Sequence, residues 1–328
     1  MKKIFAHLSL IVLFTAFVSC EDDISPVGDL PDKYAVNLVL RGDTTLQTAY
    51  ISRLYAAENF DPYSNEIDPA VEGAKVSLKY SGSTTEYFFN DTVDNDKINS
   101  RYGTPAKYYY LKNFTPQFGK ELELKVVLPD GQTMTSKTKV PQSIAFDLDA
   151  TTPFIPGPLI GRDTVNITVA WKSSSLDLLK AGKVKIVYFH KELSGEKIRH
   201  EKEVTLGLVV DGTDTVKNYI DITFNSYLKI NRKLLEEALE EISEGDGVKG
   251  RYSIAPLEID VFFFDDNLTR FYSAGLFFDF GFTVRNYPGD LSNINGGLGF
   301  FASYIHANKI IKFEKQYLLN RFGYLAEK

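Results

Sequence analysis

Period-two alternation constrains this chain more than any other feature of its sequence. Leu122, Leu124, Val126 and Leu128 alternate with Glu121, Glu123 and Lys125, and Ala74, Val76, Leu78 and Tyr80 alternate in the same way with Lys75, Ser77 and Lys79. Successive side chains of a strand point to opposite faces, so each run describes a strand with one buried and one wet face, and a set of them describes antiparallel sheets. Pro129-Asp130-Gly131 then turns the chain into residues 132–140, a hairpin signal. Val165, Ile167, Val169 and Trp171 share one face of a later strand, which places Trp171 between sheets, and further strands are predicted at 183–191, 197–206, 215–224 and 256–265.

One helical pattern interrupts the strands. Leu235, Leu239 and Ile242 form a stripe opposite Glu236, Glu237, Glu240 and Glu241, which predicts an amphipathic helix over 231–243 with Asn231 as its N-cap and Gly245 and Gly247 beyond its end. The expected fold class is all-β: two β-sandwich domains of the immunoglobulin-like or transthyretin-like kind. The first runs over 34–141 and the second over 142–328, the second carrying the inserted helix; Pro141 and the Pro-rich 153–158 lie near the boundary.

Ahead of these strands stands a different kind of segment. Met1-Lys2-Lys3 leads into an apolar run from Leu8 to Val18, too short for the ~30 Å hydrocarbon core that takes about 20 helical residues, so residues 1–19 read as a secretory signal peptide. Phe17-Val18-Ser19 precede Cys20, the only cysteine, in an arrangement that resembles a bacterial lipobox. That resemblance implies an acylated Cys20 and a bilayer as one partner; each buried methylene contributes about 0.8 kcal/mol, so two or three chains hold stably where one does not. Glu21, Asp22 and Asp23 resemble the export signal of surface lipoproteins of Bacteroidota, and residues 20–33 read as an acidic tether broken by Pro26, Gly28 and Pro31. An outer-membrane, cell-surface location follows from these readings. Loss of Lys2 and Lys3 with the signal moves the formal charge from −6 to −8, and without basic runs nucleic acid is excluded as a main partner. Once Cys20 is acylated no thiol remains, and packing alone must hold the fold.

Three separated motifs carry a wider resemblance. Val71-Glu72-Gly73-Ala74-Lys75-Val76-Ser77-Leu78 resembles the opening of a transthyretin-like sandwich. Phe118-Gly119-Lys120-Glu121-Leu122 followed by Leu128-Pro129-Asp130-Gly131-Gln132, together with Val284-Arg285-Asn286 and the stretch from Ser292 to Tyr304, resembles a Bacteroidota outer-membrane lipoprotein family of unknown function. The family's commoner form has Pro-Val before the Ser-Asn pair and Glu before the double glycine, where this chain has Asp290-Leu291 and Asn295. The resemblance implies a two-domain β-sandwich lipoprotein encoded beside a TonB-dependent receptor, which would be its partner, and it supplies no catalytic residues.

Candidate sites are few. Asn293, Asn295, Gly296 and Gly297 concentrate the residues that tolerate positive φ, and the segment reads either as a shaped turn supporting its domain or as a loop open to a ligand or receptor. Phe60 and Tyr63, in a polar, Pro-fixed turn, are a second contact candidate. Thr44, Thr92, Thr164 and Thr215 each follow Asp in a pattern that resembles the O-glycosylation sequon of Bacteroidota envelope proteins, and that is also a plain turn-into-strand sequence. His190 and His200 flank a turn and are weighed as a metal pair; Asn90, Asp91, Asp94, Asn95, Asp96 and Asn99 are weighed as a Ca²⁺ loop, although the spacing misses the EF-hand pattern. Tyr108-Tyr109-Tyr110 puts Tyr109 on the face opposite its neighbours. No metalloprotease, nucleophile-elbow or phosphate-loop motif is present. The expected function is a non-catalytic binding or accessory lipoprotein of TonB-dependent nutrient uptake, with no cofactor, no metal and an unidentified nutrient as ligand. A structural adhesin or fimbria-like subunit and a hydrolase are the alternatives.

Overall fold

The computed structural model describes residues 33–54, 66–94, 102, 105–156, 165–172, 177–211, 214–276 and 291–327. Eight strands come first: β1 (Tyr34–Arg41), β2 (Gln47–Arg53), β3 (Lys75–Tyr80), β4 (Glu86–Phe88), β5 (Asn90–Asp94), β6 (Ala106–Leu111), β7 (Glu121–Val127) and β8 (Thr133–Lys139). The short β9 (Ala145–Phe146) and β10 (Phe154–Ile155) lead to β11 (Asn166–Lys172), β12 (Lys180–Lys191) and β13 (Lys197–Glu203). Next are β14 (Gly207–Asp211), β15 (Asp214–Asn218), β16 (Ile220–Thr223) and β17 (Tyr227–Asn231), which runs into helix α1 (Arg232–Glu241). The chain closes with β18 (Tyr252–Phe264), α2 (Asp266–Leu276), β19 (Leu298–Phe313), α3 (Lys315–Phe322) and β20 (Leu325–Ala326).

The protein is mostly β, organised around one large open sheet. Its order is β13-β12-β18-β19-β1-β2-β6-β5, with β10, β16 and β20 attached at its side. The joint in the middle is a parallel pairing of the first and the last long strand, in which Ala35 lies opposite Leu298 and the register runs to Arg41 opposite Tyr304. The ladder therefore crosses residue 142 without a break. Smaller sheets line the inner face: β4-β3-β7-β8 and β17-β11-β9. Val36, Leu38 and Leu40 of β1 share one core with Val76 and Leu78 of β3, Leu122 and Leu124 of β7, and Met134 of β8. Further along, Ile167, Val169 and Trp171 of β11 meet Ile259, Val261 and Phe263 of β18, with the Trp171 and Phe263 rings edge to face at 5.6 Å. Trp171 thus packs between sheets as its alternation predicts. At about 25 cal/mol per Å² of apolar surface, fully burying a side chain of this size contributes roughly 1.5–3 kcal/mol.

The expected helix is α1, capped as anticipated by the Asn231 side chain, which accepts from the Lys233 N–H at 2.9 Å. Where one helix is expected, the described residues hold three. Helix α3 ends in a left-handed Gly323 (φ +76) whose N–H bonds the Leu319 carbonyl, while Tyr324 N–H bonds that of Leu318. Helix α2 lies on the outer face of the large sheet, where Leu268 packs with Leu179, Ala181, Phe264 and Ala302. The run predicted as one strand over 215–224 is two, broken at Tyr219, because β15 pairs with β14 and β16 with β12.

Candidate functional site

The Asn-Gly segment enters β19 and clasps β8. Asn295 forms a two-way backbone bridge with Thr135, at 2.8 and 3.0 Å. Ser136 Oγ donates to the Asn293 carbonyl at 2.6 Å, and Gln132 Nε2 to that of Gly296 at 3.1 Å. The Asn293 amide turns inward and binds the Phe301 backbone twice, Nδ2 to the carbonyl at 2.6 Å and Oδ1 from the N–H at 2.8 Å. Gly296 adopts φ +80 with the Thr133 carbonyl only 2.6 Å from where a Cβ would stand. Gly297 passes Met134 Sδ and the Tyr34 carbonyl just as closely, and Gly299 (φ +109) leaves no space for a Cβ beside the Val36 carbonyl. These positions exclude side chains because three backbones meet there. Of the four candidate residues, Asn295 alone keeps an exposed side-chain amide. It sits at the rim of an open groove of about 330 Å³ also lined by Lys79, Glu123, Ser136 and Lys137. Three of the charges of that groove are paired with one another: Glu123 lies 2.9 Å from Lys137 and 3.0 Å from Lys79, and hydrogen bonds first from Lys137 and then from Lys79 bring its carboxyl down to about 2.

A second junction lies beside the clasp. Asp265 is buried at the start of α2, where its Oδ1 accepts from Leu268 N–H at 2.8 Å. Its Oδ2 accepts from Ser303 N–H at 2.6 Å, from Ser303 Oγ at 3.0 Å and from the Thr138 hydroxyl. One carboxylate thus ties β8, α2 and β19 together, and Asn267 adds bonds to the Lys137 and Phe301 carbonyls. Burial pushes this carboxyl up to about 6 against the pull of its hydrogen bonds. Sequence reading missed Asp265; an Asp directly before the helical pattern of α2 is the signal that marks it.

The outer face of the large sheet carries further polar groups that distant strands bring together. Arg41 grips Asp43 with two bonds of 3.1 and 3.0 Å, and Tyr304 OH donates to the same carboxylate at 3.0 Å. Burial works against the Asp43 charge, yet the bonds from Arg41 and Tyr304 hold its carboxyl below the ordinary range, and burial followed by the Asp43 charge raises the Tyr304 phenol to about 12. Nearby, Asp260 binds His306 Nε2 at 2.7 Å and Asn308 Nδ2 at 2.9 Å, and the His306 ring lies 5.1 Å from Phe262. A carboxylate-oriented imidazole can accept or pass a proton, but among the described residues no hydroxyl or thiol is hydrogen-bonded to it. Searched against protein-family models and curated proteins, the sequence matches none.

The remaining candidates fall as follows. Cys20, Glu21, Asp22, Asp23, Phe60, Tyr63 and Thr164 lie outside the described residues, as do Asn95, Asp96 and Asn99, whereas Asn90, Asp91 and Asp94, expected in a loop, are in strand β5 paired with β6. Thr44 closes a turn by accepting from Leu46 N–H at 3.1 Å; Thr92 is half-buried within β5, and Thr215 is exposed on β15. His200 pairs with Tyr188, two residues along β12 from His190, so the two imidazoles are not opposite each other. Each stacks instead on a tyrosine, His190 on Tyr252 at 4.7 Å and His200 on Tyr188 at 5.1 Å. Among the described residues no group of three or more His, Cys, Asp and Glu is placed to hold a metal ion. Tyr109 faces inward, donating to the Val71 carbonyl at 2.6 Å and accepting from Ala74 N–H, while Tyr108 and Tyr110 face outward.

Proposed function

We propose that this chain is a surface-exposed outer-membrane lipoprotein, held by acylated Cys20, that serves as a non-catalytic binding or accessory component of TonB-dependent nutrient uptake. The observation that carries the reading is where the tether arrives. Residues 21–33 reach at most roughly 45 Å when extended, and they feed directly into β1, a strand bonded on one side to β2 and on the other to β19. A pull on the anchor loads these ladders along their length, so the anchored end is also the best-secured one. The resemblance to the Bacteroidota lipoprotein family supplies the receptor as partner, and the acidic trio after Cys20 supplies the outward orientation.

The finer architecture belongs to the same proposal. The inner sheets β4-β3-β7-β8 and β17-β11-β9 make two sandwiches against successive halves of the large sheet, which serves as the shared outer layer. A fimbria-like subunit needs an exchangeable edge strand. Here β1 is interior, and the edge strand β13 carries Lys197, Arg199, Glu201, Lys202 and Glu203, charges that discourage strand addition. Metabolic labelling tests the anchor: the parent should incorporate palmitate and Cys20→Ala should incorporate none. Persisting label in Cys20→Ala would end the lipoprotein reading.

A further inference from the structure

The β1-β2-β6-β5 end of the large sheet presents aromatic rings and uncharged hydrogen-bonding groups in straight rows on its outer face. Asn37 lies opposite Phe300 on one side and Tyr50 on the other. The pairing of Thr48 with Tyr110 sets Tyr50 beside Tyr108, and Tyr108 lies opposite Thr92. At about 4.8 Å per strand the row Phe300, Asn37, Tyr50, Tyr108, Thr92 spans roughly 20 Å. Thr48, Tyr110 and Asn90 form a second row beside it. Tyr50 is 48% exposed, and its ring lies 5.9 Å from that of Tyr108. The Phe300 end continues into Phe271 of α2, 5.0 Å away and itself exposed.

Two properties of this face select its occupant. Among the described residues the phenols of Tyr50, Tyr108 and Tyr110 and the amides of Asn37 and Asn90 make no hydrogen bond, in contrast to inward-facing Tyr109, which makes two. Neither row holds an ionised side chain; the charges stand at the margins, Lys112 5.2 Å over the Tyr110 ring on one side and Asp94, next to Thr92 on the same face of β5, on the other. A bilayer would strand those polar groups in hydrocarbon, at several kcal/mol each. An anionic polymer would require a cationic track. The complement of exposed rings flanked by free neutral amides and hydroxyls is a ligand with apolar C–H faces and many uncharged hydroxyls.

We propose that this face binds a neutral oligosaccharide laid along the row, stacked on Tyr50 and Tyr108 and hydrogen-bonded by Asn37, Asn90 and Thr92. The assignment rests on the reading of the chain as a binding protein and names its ligand class, without depending on the anchor or the receptor. Full-length protein in a polyoxyethylene detergent, whose head group carries no sugar, is run in native gels cast with a mixed-linkage glucan, a xyloglucan, a galactomannan, a dextran or heparin. At least one neutral polysaccharide should retard it, Tyr50→Ala should weaken the retardation about tenfold, and Tyr50→Ala with Tyr108→Ala should abolish it while melting like the parent. Heparin should have no effect. Retardation by none of the neutral polysaccharides, by heparin alone, or undiminished in the double variant overturns the assignment. Recovery of a receptor from membranes is scored separately: a receptor without glycan retardation sinks only this inference, and retardation without a receptor sinks only the transport reading.

Discussion

Gly299 adopts φ +109 with no space for a Cβ beside the Val36 carbonyl, so even a methyl group there adds backbone strain to a steric overlap. Gly299→Ala should destabilise by about 3 kcal/mol, read as a lower urea midpoint at unchanged slope. The two asparagines of the clasp should separate. Asn293→Ala strands the Phe301 N–H, while the Phe301 carbonyl keeps its bond from Asn267, and should cost about 2 kcal/mol. Asn295→Ala leaves its backbone bridge intact and should change stability by less than about 0.5 kcal/mol, which reserves that variant for measuring contacts. Asp265 gives a pH dependence. Its carboxyl rises from 3.8 to about 6 on folding, so its favourable contribution is complete below the unfolded value and is lost as pH climbs through about 6. Asp265→Asn cannot titrate. Between about pH 4 and pH 7 the stability difference between parent and variant should therefore move by about 2 kcal/mol toward the variant, and parallel curves would refute the buried titration.

Elements show where local sequence suffices. Removing the cap of α1 by Asn231→Ala should cost about 1 kcal/mol, and Leu38→Ala, which opens a cavity in the interior strand β1, about 2–5 kcal/mol; chemical denaturation measures both. Strands β7, β8 and β11 and helix α1 are legible because a single buried face writes its period into the sequence. Helix α2 is not, since Thr269, Phe271, Tyr272 and Gly275 are weak helix formers, and what decides the segment is the packing of Leu268 against Ala302 and Phe264. Helix α3 is too short to register a pattern. The parallel partnership of β1 and β19 joins residues far apart in the chain, and no local period encodes it. The same distance hides the outer-face groups: Tyr304 reaches Asp43 only once that ladder has formed. In the tyrosine run the parity was readable, so Tyr109 could be set apart from its neighbours, but the row with Tyr50 needed the register of β2 with β6.

For the molecule as a whole, that ladder makes the N-terminal strand a structural part of the C-terminal half. Calorimetry should show one unfolding transition with equal calorimetric and van't Hoff enthalpies, and two resolved transitions would mean that the halves unfold independently. Refolding should be slow, because the central pairing joins the first and the last long strand among the described residues and so closes a very long loop. The same joint is what the proposed anchor would pull on, since β1 is bonded to β2 on one side and to β19 on the other. The central claim is a lipid-anchored protein that works beside a receptor. Its most direct test is native purification of the lipidated protein from solubilised outer membranes, in parallel with Cys20→Ala. The account predicts that the parent fractionates with the outer membrane and brings a TonB-dependent receptor with it, whereas Cys20→Ala leaves the membrane and recovers none. A parent that stays soluble, or that leaves the outer membrane with no receptor bound, would contradict it.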